Sequence, residues 1–94
     1  MEFIVPKSFK IFDVTYKVKQ LKKIDAEDSW GEHDFSTHTV KIKKDLNDVE
    51  KERTFFHEVL HCALEQLSYN KLSDDEKFVD QLANALHQII KTSK

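Results

Sequence analysis

Ninety-four residues, 34% charged and 39% hydrophobic, with a formal net charge of −2, describe one small globular domain spanning residues 1–94. No apolar run approaches the roughly 20 residues of a membrane span, and the opening Met1–Pro6 segment lacks the basic stretch of a secretory leader. The single cysteine, Cys62, cannot form an internal disulfide, which together with the missing leader points to a reducing cytoplasm.

Phe9 to Leu21 reads as one strand, because Phe12, Val14, Tyr16 and Val18 alternate with Asp13, Thr15, Lys17 and Lys19. Lys22–Ser29 is a polar, acidic connection. Trp30 and Gly31 open a second extended segment through Phe35, and the chain's only glycine is expected there because a turn or bulge needs it. Asp34–Thr37 turns the chain into a third strand, Thr37 to Lys43, so the second and third segments make a hairpin. Its His38, Val40 and Ile42 share one face, and Thr39, Lys41 and Lys43 the other.

From Asp48 the period changes. Phe56, Val59, Leu60, Ala63, Leu64 and Leu67 recur at helical steps, with Asn47 or Asp48 as cap and Glu50 and Glu52 suiting the N-terminal dipole. The helix is expected to stop near Tyr69-Asn70. Ser73-Asp74-Asp75-Glu76 has the form of a capping box and opens a last helix. Phe78, Val79, Leu82, Ala83, Leu86, Ile89 and Ile90 give that helix an apolar arc wide enough to pack on both the sheet and the first helix. The expected fold is α+β: a small antiparallel three-stranded sheet followed by two packed helices on one face.

The first helix contains His57-Glu58-Val59-Leu60-His61. Residues four apart on a helix lie on one face, so both imidazoles can reach one ion. Zinc takes imidazole nitrogen at about 2.0–2.1 Å, and a catalytic site uses three protein ligands plus water. Glu58, beside the first histidine, can accept the proton of that water as general base. The third ligand must come from elsewhere, and the start of the next helix carries Glu76 and Asp80 four residues apart. Glu76 reads as the ligand and Asp80 as the acceptor that fixes an imidazole tautomer. Asp80 is the next position for the ligand itself, and His87 follows. His33 and His38 lie in the hairpin, where either could face the site from the sheet.

The pattern H-E-x-x-H followed by E-x-x-x-D on the next helix resembles that of the gluzincin zinc metallopeptidases. It is similar in particular to the small phage-associated members of the ImmA/IrrE-like group. The corresponding segments are Trp30-Gly31-Glu32-His33-Asp34, Thr39-Val40-Lys41-Ile42 and Thr54-Phe55-Phe56-His57-Glu58-Val59-Leu60-His61-Cys62-Ala63. The resemblance covers about residues 30–90. It implies a minimal zincin-like fold, His57, His61 and Glu76 as zinc ligands, and Glu58 as general base. The chain departs from larger zincins in lacking a C-terminal subdomain and an obvious oxyanion donor, for which Tyr69, His38 and His87 are the candidates.

The function implied is zinc-dependent hydrolysis of a peptide bond in a restricted protein substrate, held extended beside the Thr37–Lys43 strand. The alternative is a non-catalytic zinc-binding interaction protein that keeps a vestigial site. Lys17, Lys19, Lys22, Lys23, Lys41, Lys43 and Lys44 could form a basic strip for nucleic acid. However, no aromatic interleaves them, and lysines on a sheet also serve to keep it solvated.

Overall fold

The computed structural model describes residues 4–24 and 29–94; the first three residues and the acidic centre of the Lys22–Ser29 connection lie outside it. Four strands come first: β1 (Ser8–Ile11), β2 (Val14–Leu21), β3 (Gly31–Asp34) and β4 (Thr39–Lys43). Helix α1 (Asp48–Gln66), the single turn α2 (Asn70–Ser73) and helix α3 (Glu76–Thr92) follow. The α+β class holds. The three-stranded antiparallel sheet and the two-helix layout do not: the sheet has four strands in the order β1-β2-β4-β3 and is mixed. β1–β2 and β3–β4 are antiparallel, whereas β2 and β4 run parallel.

The fourth strand arises because the Phe9–Leu21 segment folds back on itself. Phe12 (φ 49°) and Asp13 (φ 68°) are both left-handed, the conformation of a two-residue hairpin turn. Phe9 then pairs with Tyr16, and Ile11 with Val14. Inward residues are odd-numbered before the turn and even-numbered after it, and Phe12, expected inside, is 70% exposed at the tip. The parallel pair arises because β3 goes to the edge and the hairpin returns β4 into the gap beside β2. Parallel strands need a crossover of about a dozen residues or more, which the chain between β2 and β4 supplies.

Tyr16, Val18, Val40 and Ile42 of the sheet and Phe55 and Cys62 of α1 form the core. Phe9 stacks on Tyr16 at 5.1 Å and meets Phe55 edge-on. Tyr16 is fully buried, and its hydroxyl accepts a hydrogen bond from Gln66 Nε2 at 2.8 Å, tying β2 to the end of α1. Gly31 is not at a turn or bulge with positive φ. It permits a close approach instead. A Cβ there would stand 2.5 Å from Thr54 Cγ2 and 3.1 Å from the Lys41 carbonyl oxygen, so the missing side chain lets β3 lie against α1.

Asn47 caps α1, its Oδ1 accepting from Glu50 N at 2.9 Å. The helix ends before Ser68, which is left-handed at φ 64°. The expected capping box does not form. Asp75 caps α3 by accepting from Phe78 N, and Ser73 closes the extra turn α2. Helix α3 packs mainly on α1 and α2, burying Val79, Ala83 and His87. Its apolar arc does not reach across to the sheet: Phe78, Leu82 and Ile89 are exposed. At the far end of this helix pair, His87 Nε2 and Lys91 Nζ lie 2.7 and 3.3 Å from Oε1 of buried Glu52. Burial opposes ionisation of Glu52, but the bonds to His87 and Lys91 outweigh it and hold its pKa below the ordinary value. No described helix is long and apolar enough to cross a membrane.

Candidate metal centre

His57 and His61 project from α1 towards the first turn of α3. His57 Nε2 is 3.0 Å from Glu76 Oε2, His61 Nε2 is 3.1 Å from Glu76 Oε1, and the two Nε2 atoms are 3.2 Å apart. Two imidazole nitrogens and a carboxylate thus converge on one point, and the group could hold a metal ion. The spacing fits: a tetrahedral ion with bonds of about 2.0–2.1 Å holds its ligand atoms roughly 3.3 Å apart. Glu76 can serve because it is the first residue of α3 rather than an internal capping-box partner, so its side chain is free to turn towards α1.

Each ring nitrogen that faces away from the convergence point has a neighbour. Ser73 Oγ lies 2.9 Å from His61 Nδ1, and both residues are buried. An Nδ1–H donated to this hydroxyl leaves the Nε2 lone pair for an ion. Sequence reasoning spent Ser73 on the capping box and missed this contact. Asp80, expected in the same role, approaches His57 Nδ1 only to 3.5 Å and is largely exposed. Asp80 is therefore the looser of the two supports and Ser73 the tighter.

Glu58 lies on the sheet side of the pair. His33, on β3, places Nδ1 2.8 Å from Glu58 Oε1 and Nε2 3.3 Å from Glu65 Oε1, and its ring stacks on His61 at 4.8 Å. The hydrogen bond to Glu58 raises the His33 pKa. Partial burial opposes this, and the charges of Glu58 and Glu65 add to the rise, leaving the imidazole above its ordinary value. Glu65 Oε2 is buried without a partner among the described residues. Of the two hairpin histidines, His33 faces the site. His38 instead packs against Tyr16 and Phe35. Tyr69 is exposed, and His87 is committed to Glu52.

A cavity of about 360 Å³ opens beside His57 and Glu58 and is walled by Trp30, Gly31, Arg53, Thr54, Asp80 and Asn84. It borders β3, a terminal strand of the sheet. The expected docking strand, Thr37–Lys43, is not available in that way, because β4 is paired on both sides. Cys62, one residue past His61, points into the core, where burial and the nearby Glu65 and Glu58 charges push its thiol up to about 12. On the outer sheet face, Lys41 has Glu32 as its cross-strand partner, which interrupts the basic strip.

Comparison with known protein families, with curated proteins and with solved structures found no match to this chain.

Proposed function

We propose that this chain is a zinc-dependent peptidase acting on a restricted protein substrate. The observation that carries the reading is the convergence of His57, His61 and Glu76 beside a cavity that Glu58 also lines. Two neutral imidazoles and one carboxylate are the donor set of a catalytic zinc site with an open fourth position. Zinc held there would supply Lewis acidity, polarising a carbonyl and making water acidic near neutral pH.

The chain's own residues supply the rest. Ser73 holds the His61 imidazole in orientation, and Asp80 gives His57 a looser support. An extended peptide would pair with β3, the strand that borders the cavity. Glu58 accepts a proton from the attacking water at a carboxylate oxygen. As the carbon–nitrogen bond breaks, it delivers that proton to the leaving nitrogen. His33 fixes the Glu58 carboxylate through Oε1, leaving Oε2 as the oxygen for this transfer.

The same His33–Glu58 bond favours the second reading, a zinc-binding interaction protein without turnover, because it occupies one oxygen of Glu58, the candidate base. Glu58→Gln separates the two. The peptidase reading expects a zinc-loaded Glu58→Gln protein that no longer cleaves a partner cut by the wild type, with binding of that partner retained. Cleavage that survives in the loaded variant would remove Glu58 from its role. Absence of zinc from the wild-type protein would remove both readings.

A further inference from the structure

Arg53 is the chain's only arginine. It lies one turn before His57 on the same face of α1 and lines the cavity shared by His57, Glu58 and Trp30. The acidic groups in that cavity are engaged elsewhere: Glu58 faces His33 and Asp80 faces His57. Arg53 has no ion pair or hydrogen bond among the described residues. A cation at the wall of a cleft, beside an aromatic surface and close to the candidate metal centre, is equipped to take an anion from the ligand occupying that cleft. Its planar fork suits a carboxylate, which it can grip through two parallel N–H bonds.

We infer that Arg53 binds a carboxylate of the peptide lying in this cavity, so that the preferred ligands carry an acidic side chain or a free C-terminus next to the bond at the metal centre. The inference rests on the peptidase reading in taking the carboxylate to belong to a peptide whose scissile bond lies at the metal centre. Thr54 and Asn84, on the same cavity wall, supply neutral polar groups for the adjoining backbone.

Trp30 makes the test direct. It is the only tryptophan, it lines the cavity, and it is half exposed, so its emission reports occupancy. The full chain, as Glu58→Gln to prevent cleavage, is titrated with three probes: acetyl-Ala-Asp-Ala amide, acetyl-Ala-Ala-Ala with a free carboxylate, and acetyl-Ala-Ala-Ala amide. Binding is checked by calorimetry, and zinc content is measured on the same samples. At least one carboxylate probe is expected to bind about five- to tenfold more tightly than the neutral amide, the range of a charge-assisted bond at a partly open site. Whichever carboxylate probe is favoured identifies the source as side chain or C-terminus. Arg53→Gln should erase the preference without loss of zinc, and Arg53→Lys should keep part of it.

Equal affinities for the three probes, no response to any of them at millimolar concentration, or a preference that survives Arg53→Gln would each overturn the inference. Zinc content separates this from the reading beneath it. A zinc-free protein that keeps the Arg53-dependent preference defeats the peptidase and retains the carboxylate site. A zinc-loaded protein that cleaves a partner through Glu58 but ignores the carboxylate defeats the Arg53 inference alone.

Discussion

Ser73 Oγ and His61 Nδ1 meet at 2.9 Å, so the one-turn helix α2 does more than connect α1 to α3: it sets the ring of a candidate ligand. Ser73→Ala should leave the fold intact and weaken zinc binding by about 10–100-fold, the usual cost of losing such a support. Competition titration against a chelating dye measures it. Unchanged affinity would mean that the hydroxyl does not set the tautomer.

Glu76 and Asp80 should separate cleanly. Glu76→Gln removes a ligand charge and is expected to cost more zinc affinity than Asp80→Asn, because Asp80 reaches His57 only at 3.5 Å. The α3 cap belongs to Asp75, so neither change disturbs it. His57→Ala or His61→Ala should abolish binding. A zinc titration in which Asp80→Asn proves the worse variant would exchange the two roles.

Gly31→Ala should destabilise the protein by about 1–3 kcal/mol, the range for forcing atoms into a filled space. The new methyl would meet Thr54 Cγ2 at 2.5 Å. Adding Thr54→Ser removes that methyl and should restore part of the loss, the Lys41 carbonyl contact at 3.1 Å remaining. Denaturant unfolding of the single and double variants checks the coupling.

Glu52 gives the stability a defined pH dependence. Its folded pKa lies below the ordinary 4.5, so folding favours the ionised form. The contribution is present in full above the ordinary value and is lost as the pH falls through the lowered one. Glu52→Gln should cost about 1–3 kcal/mol near neutrality, the range for disturbing a buried charge-assisted hydrogen bond. The gap between wild type and variant should close in acid, as followed by denaturant unfolding at stepped pH. A gap that stays constant through the acid range would dissociate Glu52 from this effect.

The grouping of His57, His61 and Glu76 was easier to read from the chain than the topology. His57, Glu58 and His61 are consecutive in one helical pattern, and helix geometry alone fixes which of them share a face. Glu76 was legible because its distance along the chain places it at the start of the next helix. The β1–β2 turn escaped because Phe12 and Asp13 fit the alternation of Val14 to Lys19, which hides the change of apolar parity at Ile11-Phe12. No Asn-Gly or Asp-Gly marks the site. The parallel β2–β4 pairing left no local trace, since register between distant strands depends on the packed sheet. Ser73 was misassigned because serine serves equally as a helix cap or as a partner for a buried ring, and only the position of His61 decides between them. A lone glycine suggests backbone freedom, whereas the role of Gly31 depends on Thr54, twenty-three residues further along the chain.

Helix α3 leans mainly on α1 and α2, so a local opening of α3 would divide the molecule along the α1–α3 seam. The candidate ligands straddle that division, two on α1 and one on α3. An ion bound by all three would favour the closed form by RT ln(1 + [ion]/Kd), which is about 2.7 kcal/mol at a concentration one hundred times Kd. Amide exchange along α3, and its susceptibility to proteolysis, would then follow the free metal concentration while β2 and β4 stayed indifferent. The lifetime of the chain would thereby become a readout of metal supply.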